Sequence, residues 1–273
     1  MATKSIISLD AMSGDLGAEV VVRAANATLE KHAGLELILV GDEAELQSLV
    51  TRIIGEQPRL TIVHSSEVVG MSESPVDALR KKKDSSMRVA INLVKEGRAE
   101  ACVSAGNTGA LMATAKFVLK MLPGIDRPAI ITELPAIGGT LHMLDLGANT
   151  QCSAEHLFQF AVMGSIVTTD ITGIESPRIA LLNIGAEDTK GHDTVKDAAA
   201  LLSASSLNYV GFIEGSELFS GKTDVVVTDG FTGNVALKTM EGTAGFVSHS
   251  LRQAFTRNWF SKLQALLARP VLK

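Results

Sequence analysis

The sequence contains few cysteines and lacks any long apolar run. Cys102 and Cys152 are its two cysteines, and neither lies in a CxxC or other metal-ligand spacing. This usage argues against a disulfide framework and is typical of a reducing compartment, where each thiol is expected to pack in the core. No apolar stretch reaches the roughly 18 residues of a spanning helix, and the apolar start, interrupted at Asp10, is too short for a signal peptide. We therefore expect a cytoplasmic protein.

The sequence also lacks an excess of positive charge and several catalytic motifs. With 25 Lys and Arg against 30 Asp and Glu, the net charge is −5, so the surface as a whole does not favour a polyanion. No aromatic residues are interleaved with its basic run, and nucleic-acid binding is not expected. A GxGxxG turn after the first strand, a Walker sequence, HExxH and GxSxG are all absent. We expect no dinucleotide, no other cofactor and no metal.

Short β-rich runs alternate with segments of helical periodicity along the whole chain. Several runs, such as RIALLNIG and DVVVTDG, are continuously apolar, which is typical of parallel strands buried on both faces. Helical spacing covers Val76–Glu96 and Ser153–Thr168. The alternation predicts an α/β fold, a three-layer α/β/α sandwich with a mostly parallel sheet, as a single domain over residues 1–273. The predicted strands are Ser5–Asp10, Glu36–Gly41, Leu60–His64, Ala101–Ser104, Ala129–Glu133, Leu141–Gly147, Arg178–Gly185, Asn208–Glu214 and Asp224–Asp229.

Five of these strands end in loops of glycine and small polar residues: SLDAMSGD, VSAGNTG, LDLGAN, LNIGAEDTKG and VTDGFTGN. Because the carboxyl ends of parallel strands share one edge of a sheet, we expect the loops to converge there on a ligand site. In VSAGNTG and VTDGFTGN, glycines before a helix allow backbone N–H groups to reach an oxyanion such as phosphate. Alternatively, each is a tight strand-to-helix turn, capped by Asn107 or Thr108 in the first loop and with Asn234 starting the helix in the second.

The loop AEDTKGHD adds a cation, Lys190, beside His192. Lys190 is suited to pair with phosphate and His192 to carry a proton, although a solvated lysine and a surface histidine are the alternatives. We predict a phosphate site with Lys190, Asp229 and Asn234 as catalytic residues. The predicted substrate-binding residues are Asp10, Gly14, Asp15, Ser104, Gly106, Asn107, Thr108, Gly109, Asn149, Gly230, Phe231 and Gly233.

The densest basic run and an apolar arm are the two candidate interaction surfaces. The run is Arg80, Lys81, Lys82 and Lys83, which is either a solvated face or a docking site for an acidic partner. The arm, residues 246–270, has an apolar stripe at helical spacing and basic residues without a single Asp or Glu, and Pro270 is its expected stop. The arm either packs on the core or across a dimer, or it anchors the protein at an anionic membrane. The predicted membrane contacts are Phe255, Trp259, Phe260 and Leu263.

Through these motifs the sequence resembles the bacterial phosphate acyltransferase family of phospholipid synthesis, often called PlsX. The resemblance is carried by SLDAMSGDLG, RKKKDSSMRVAINLVKEGRAEACVSAGNTGALMATAKFVL, LDLGAN, QFAVMGS, ALLNIGAEDTKG and GKTDVVVTDGFTGNVALKTMEG. These motifs are long and span nearly the whole chain.

The resemblance implies an enzyme that converts long-chain acyl-(acyl carrier protein) and inorganic phosphate into acyl phosphate and free carrier. It also implies a fold similar to phosphate acetyltransferase and isopropylmalate dehydrogenase, a homodimer and peripheral membrane association. Phosphate dianion is a competent nucleophile and a thiolate an adequate leaving group, so such an enzyme needs positioning and charge stabilisation rather than a covalent nucleophile. The basic run at residues 80–83 is then the expected docking site for the acidic carrier.

The sequence departs from the family pattern at three places. Ser13 replaces the first glycine of a pair, which costs roughly 1 kcal/mol if its φ is positive. Ala186 stands where an acidic residue is common. The family pattern continues beyond Lys273 with a valine-rich strand and a last helix, which are absent from these 273 residues. Two alternative functions therefore stay open: a short-chain phosphate acyltransferase using a coenzyme A thioester, and a non-catalytic, carrier-docking scaffold.

Overall fold

The computed structural model describes residues 4–187 and 189–268. The chain divides into two compact units, Met1–Pro128 and Ala129–Lys273. Each unit contains its own β-sheet and its own helices. Arg269 and Pro270, the predicted end of the arm, lie outside the described residues.

The first unit is built on a four-stranded, all-parallel sheet in the order β3-β2-β1-β4. All four strands were predicted from their apolar runs, three of them with the observed bounds. Its strands are β1 (Ser5–Asp10), β2 (Leu35–Gly41), β3 (Leu60–His64) and β4 (Ala101–Ser104), and its helices are α1 (Ala18–Lys31), α2 (Glu43–Ile53), α3 (Pro75–Lys81), α4 (Ser86–Lys95) and α5 (Thr108–Leu119).

Both faces of this sheet are covered because alternate residues of β2 are apolar on both sides. Leu37 and Leu39 pack with α1 and α2 in one core cluster. Ile38 and Val40 point to the opposite face and pack with α4. Side chains alternate between the two faces of a strand, so a continuous apolar run buries against helices on both sides. The first unit is therefore a three-layer α/β/α sandwich.

The second unit is built on a five-stranded sheet in the order β5-β6-β9-β7-β8. β5 runs antiparallel to β6, and the remaining pairs are parallel. The strands are β5 (Ile131–Ala136), β6 (Gly139–Leu144), β7 (Ile179–Leu182), β8 (Tyr209–Ile213) and β9 (Val225–Val227), and the helices are α6 (Ala154–Thr172), α7 (Asp193–Ser203), α8 (Gly230–Thr256) and α9 (Trp259–Ala268).

The sheet of the second unit is also covered on both faces. Val225 and Val227 of β9 pack in one cluster with α6 and α7. Val226, between them, lies in the cluster on the other face, which includes Ala236 and Leu237 of α8. The same period-two alternation therefore produces a second three-layer arrangement. The predicted α/β/α class is confirmed, but its strands are divided between two sheets instead of lying in one.

Two predicted helix boundaries were wrong. Val76–Glu96 is not one helix: α3 ends at Lys81, and α4 starts after Ser85, whose hydroxyl accepts the Arg88 N–H. A serine that caps a new helix interrupts the helical periodicity. Asn234 does not start the second helix either, because Asp229 caps α8 and Gly230 is its first residue.

Candidate active site

A cleft of about 380 Å³ opens at the carboxyl ends of β7 and β9 in the second unit. Its apolar floor includes Leu157, Leu181 and Val227, and its rim includes Asn183, His192, Asp229 and Thr232. The two loops LNIGAEDTKG and VTDGFTGN therefore meet here, at the carboxyl edge of one sheet. The expectation that all five loops share one sheet edge was wrong, because SLDAMSGD and VSAGNTG follow strands of the other sheet. An apolar floor with a few polar groups at the mouth is the usual composition of a small-molecule site.

Asp229 holds the first turn of α8 at the wall of this cleft. Its Oδ1 accepts the Thr232 N–H at 2.9 Å and its Oδ2 accepts the Thr232 hydroxyl at 2.7 Å. The Gly230 N–H donates to the Asn149 carbonyl at 2.8 Å. The N–H groups of Gly230 and Thr232 thus already have acceptors within the chain, and the Asp229 carboxylate lies where an external anion would bind the helix end.

Asp145 is the residue that organises the neighbouring LDLGAN loop, and it was not predicted from the sequence. Its side chain is fully buried. Oδ1 accepts N–H groups from Ile130 and Ala148, each at 3.0 Å, and a longer one from Gly147. Oδ2 accepts both the backbone N–H of Asn149 at 2.7 Å and its side-chain amide at 2.9 Å. An internal carboxylate therefore occupies the donors of this loop, which leaves them unavailable to an external anion.

Gly230 and Gly233 are required by the close approach of α8 to this loop. A Cβ on Gly230 would lie 2.8 Å from both the N and the O of Asn149, and one on Gly233 would overlap the Asp145 carbonyl oxygen. Both glycines are buried, whereas Phe231, between them, is exposed. Asn234 is exposed beside Gly147, one turn into α8.

Lys190 and His192 lie next to the cleft on the loop that leads into α7. Both side chains are exposed. His192 lines the cleft and is the N-cap residue of α7, but its side chain makes no capping hydrogen bond. His192 thus leaves the α7 N-terminus without a side-chain cap from the N-cap position, and the positive end of this helix lies beside the cleft. The Lys190 carbonyl accepts the Asn183 side-chain amide at 3.2 Å, which fixes the backbone that carries the lysine.

In the first unit, Asp10 and Ser104 join the loops that follow β1 and β4. The Ser104 hydroxyl donates to Asp10 Oδ2 at 2.6 Å and accepts the Gly106 N–H at 3.1 Å. Asp10 Oδ1 accepts the Ser13 N–H at 3.3 Å. Asp10 is buried, and among the described residues the Ser13 hydroxyl is buried without a hydrogen-bond partner. Hydrogen bonds thus connect the predicted site residues Asp10, Ser104 and Gly106 at this edge of the sheet.

Ser13 itself adopts a negative φ, since Lys120 is the sole non-glycine residue at positive φ in the described part of the chain. Gly14 instead takes the positive φ, at 102°. The loop therefore accommodates Ser13 without the backbone strain that a positive φ at this residue would cause. Asp15, which follows, is exposed.

Asn107 is the cap of α5, so the capped-turn interpretation of VSAGNTG is the one its side chain shows. Its Oδ1 accepts the Ala110 N–H at 3.0 Å, and its Nδ2 donates to the carbonyls of Met71 and Glu73, each at 2.9 Å. Gly106 is buried, and a Cβ at this position would lie only 2.6 Å from the Ser13 Cβ, so a larger residue would not fit. Thr108 and Gly109 are exposed at the start of the helix.

The basic run at residues 80–83 is partly neutralised within the first unit. Lys81 pairs with Asp77 and Lys82 with Glu73, each at 2.7 Å. The hydrogen bonds from these lysines lower the pKa of Asp77 and Glu73. Arg80 and Lys83 are exposed and form no ion pair with a described residue.

The described part of the arm, residues 246–268, is helical except at Arg257 and Asn258. It comprises the end of α8 and α9. Trp259 is 77% exposed, and Phe260 and Leu263 are exposed as well, whereas Phe255 is half-buried. Most of the stripe is therefore not packed on the core of the described chain. In the part of the chain that the structure describes, no helix combines the length and apolarity needed to cross a bilayer.

Cys102 lies among apolar side chains of the first unit. Cys102 packs against the helical layer that contains α4 and α5, and burial raises its pKa to about 11, which keeps the thiol protonated near neutral pH. Within residues 4–187 and 189–268, no group of three or more His, Cys, Asp or Glu side chains is arranged to hold a metal ion.

The layered units and their glycine-bearing edges define a class of α/β/α proteins that includes the phosphotransacetylases. A phosphotransacetylase from Streptococcus pyogenes superposes with a TM-score of 0.65 and 22% identity, covering 88% of this chain and 82% of that one. EutD phosphotransacetylase from Staphylococcus aureus gives a TM-score of 0.62 at 19% identity, with 89% and 83% coverage. At these identities the likeness concerns the fold.

Sequence comparison then gives the family. The model of the family described as "Fatty acid synthesis protein" matches residues 6–273. A phosphate acyltransferase from Alkalilimnicola ehrlichii is 58% identical, covering 99% of this chain and 80% of that protein. One from Nitrosococcus oceani is 57% identical, covering 98% and 79%. The chain belongs to this family, the phosphate acyltransferases.

Proposed function

We propose that this chain transfers a long-chain acyl group from the thioester of an acyl carrier protein to inorganic phosphate. A phosphate oxygen attacks the thioester carbonyl, the C–S bond breaks, and the carrier leaves as a thiolate that takes up a proton. The products are acyl phosphate and free carrier protein. Family membership and the cleft of the second unit support this proposal.

The observation that carries the proposal is the pairing of an apolar floor with an uncapped helix end in one cleft. The floor, with Leu157, Leu181 and Val227, suits the apolar end of an acyl group. The α7 N-terminus, beside Lys190 and His192, suits the phosphate. Both reactants therefore find their preferred surroundings at the carboxyl edge of one sheet.

In this proposal Lys190 is the cation that offsets the charge of phosphate and of the developing oxyanion. Two negative groups approach each other in the reaction, so a fixed positive charge stabilises the transition state more than the separated reactants. Asp229, fully engaged with Thr232, keeps the α8 turn in place as the cleft wall. Asn234 is proposed to contact substrate, because it lies in one of the family motifs.

The proposed enzyme acts as a homodimer in peripheral contact with an anionic membrane. The exposed apolar and basic arm supports the membrane contact, since aromatic side chains favour the headgroup boundary and basic ones favour anionic lipid. A long-chain acyl phosphate released there would pass directly into the bilayer.

The test measures thiol release from a long-chain acyl carrier protein by the purified chain. We expect release only when phosphate is present, with acyl phosphate formed in equal amount. Turnover of acetyl-coenzyme A together with no turnover of the carrier substrate would instead indicate a short-chain enzyme. Carrier binding without any phosphate-dependent release would indicate a scaffold.

A further inference from the structure

A second basic surface lies on the first unit, between α4 and the end of α5. The Phe117 ring is 54% exposed. The Arg88 Cζ lies 5.3 Å from its centroid and the Lys120 Nζ lies 4.8 Å from it. Two cations thus stand against one exposed aromatic ring, which orients both of them.

The charges of this surface are unpaired, in contrast to the run at residues 80–83. Neither Arg88 nor Lys120 forms an ion pair with a carboxylate of the described residues. Arg88 makes one long hydrogen bond, from Nε to Asn92 Oδ1 at 3.4 Å. Their positive charge is therefore available to an external acidic group.

The backbone of Lys120 is a second, independent sign that this surface has a role. Lys120 has φ 70° and ψ 178°, and within residues 4–187 and 189–268 it is the one non-glycine residue at positive φ. That conformation is nearly restricted to glycine and is strained for a residue with a Cβ. Glycine would fit the turn with less strain, so lysine at this position is expected to cost stability.

Apolar side chains complete the surface. Leu119, next to Lys120, and Leu122, two positions after it, are both exposed, Leu122 at 76%. Basic groups around a small apolar centre are complementary to a helix that presents carboxylates around apolar residues.

We propose that Arg88, Phe117 and Lys120 form the docking surface for an acidic protein partner. This proposal rests on the proposed function, under which the partner is the acyl carrier protein. It moves the main docking contact from the half-neutralised run at residues 80–83 to the unpaired cations on Phe117.

Two double variants of matched charge test the location. Arg88→Glu with Lys120→Gly removes the proposed surface, and Arg80→Glu with Lys83→Gln changes the formal charge equally at the other site. Both substitutions in the first pair suit the fold: Glu at position 88 completes a capping box with Ser85, and glycine relieves the backbone at position 120.

The measurement is binding of the carrier protein to the full chain at several salt concentrations, with KM for the carrier substrate as a second readout. We expect the first pair to weaken binding about 10-fold or more and to flatten its salt dependence, with thermal stability equal to wild type or higher. The second pair should weaken binding less than about threefold. The single variant Phe117→Ser should also weaken binding while leaving the charge intact.

Three outcomes would overturn the proposal. These are equal weakening by the two pairs, greater weakening by the second pair, and loss of binding to phosphatidylglycerol vesicles by the first pair while carrier binding is unchanged. Absence of phosphate-dependent turnover in wild type is a separate result that contradicts the proposed function, and carrier binding is measured without turnover so that the two failures stay distinguishable.

Discussion

At the scale of single residues, Asp145 contributes most to the architecture of the candidate site. Its buried carboxylate accepts hydrogen bonds from Ile130, Ala148 and Asn149 as well as from Gly147. The first turn of α8 then packs on this loop through Gly230 and Gly233. One side chain therefore fixes the loop and, through it, the helix that forms a wall of the cleft.

Asp145→Asn should destabilise the chain by about 3 kcal/mol, because the new amide turns N–H groups toward buried backbone donors that lose their acceptor. Urea unfolding followed by circular dichroism measures the change. Asp193→Asn is the matched control, since the Asp193 side chain is 98% exposed, and it should stay within about 0.5 kcal/mol of wild type. Equal effects of the two variants would show that the Asp145 contacts contribute little.

Lys190→Ala should lower kcat/KM for phosphate-dependent acyl transfer by about 10²-fold, a typical loss for a preorganised charged group. Lys190→Arg, which keeps the charge, should recover part of the rate. Unfolding is expected to be unchanged because the Lys190 side chain is exposed. An unaltered rate and phosphate dependence in the alanine variant would remove Lys190 from the mechanism.

At the scale of elements, apolar runs were sufficient to locate the strands, whereas the contacts of polar residues were not visible in the sequence. RIALLNIG and DVVVTDG identify β7 and β9 because strands buried on both faces need unbroken apolarity. Asp145, Asp229 and Asp10 all follow such runs and look alike, yet Asp145 accepts backbone donors, Asp229 caps a helix and Asp10 bonds Ser104. Which partner each carboxylate finds depends on distant segments.

The charge run at residues 80–83 shows the same limit. Its sequence suggests four free cations, but two of the lysines have acidic partners. Asp77 lies one helical turn before Lys81 and pairs with it, and Glu73, in the loop before α3, pairs with Lys82. The pairing of Phe117 with Arg88, 29 positions earlier, arises from the packing of α4 against α5 and has no local signal.

The exposed stripe on the arm predicts membrane binding at the element scale. Replacing Trp259, Phe260 and Leu263 by serine should abolish co-sedimentation with anionic liposomes, because the apolar area that enters the headgroup region is removed. Wild-type binding should decline with added salt, since Arg252, Arg257 and Lys262 act electrostatically. Circular dichroism checks the fold, and equal sedimentation of folded wild type and variant would assign the stripe to protein packing.

At the scale of the whole molecule, the chain is acidic overall, whereas the charged residues of the arm are all basic. The net charge is −5, while the described part of the arm contains no Asp or Glu between residues 246 and 268. This segregation opposes non-specific contact with anionic surfaces and directs binding to defined faces.

The proposed homodimer gives a prediction at this scale. Light scattering should give a particle of about twice the chain mass of 28.8 kDa. The arm variant should keep that mass, because the proposal assigns its stripe to lipid and not to the subunit contact. A particle of single-chain mass for the variant, beside a dimeric wild type, would place the stripe in the dimer interface.

The buried carboxylate of Asp145 also means that the LDLGAN loop is ordered before any substrate binds. Its donors are held before any substrate arrives, so the loop has little freedom left to lose when phosphate binds. Hydrogen–deuterium exchange at the amides of Ile130, Ala148 and Asn149 should then be slow in the free chain and should not slow further with phosphate. The amides at the α7 N-terminus, where the N-cap residue His192 makes no side-chain capping bond, are the ones whose exchange should respond.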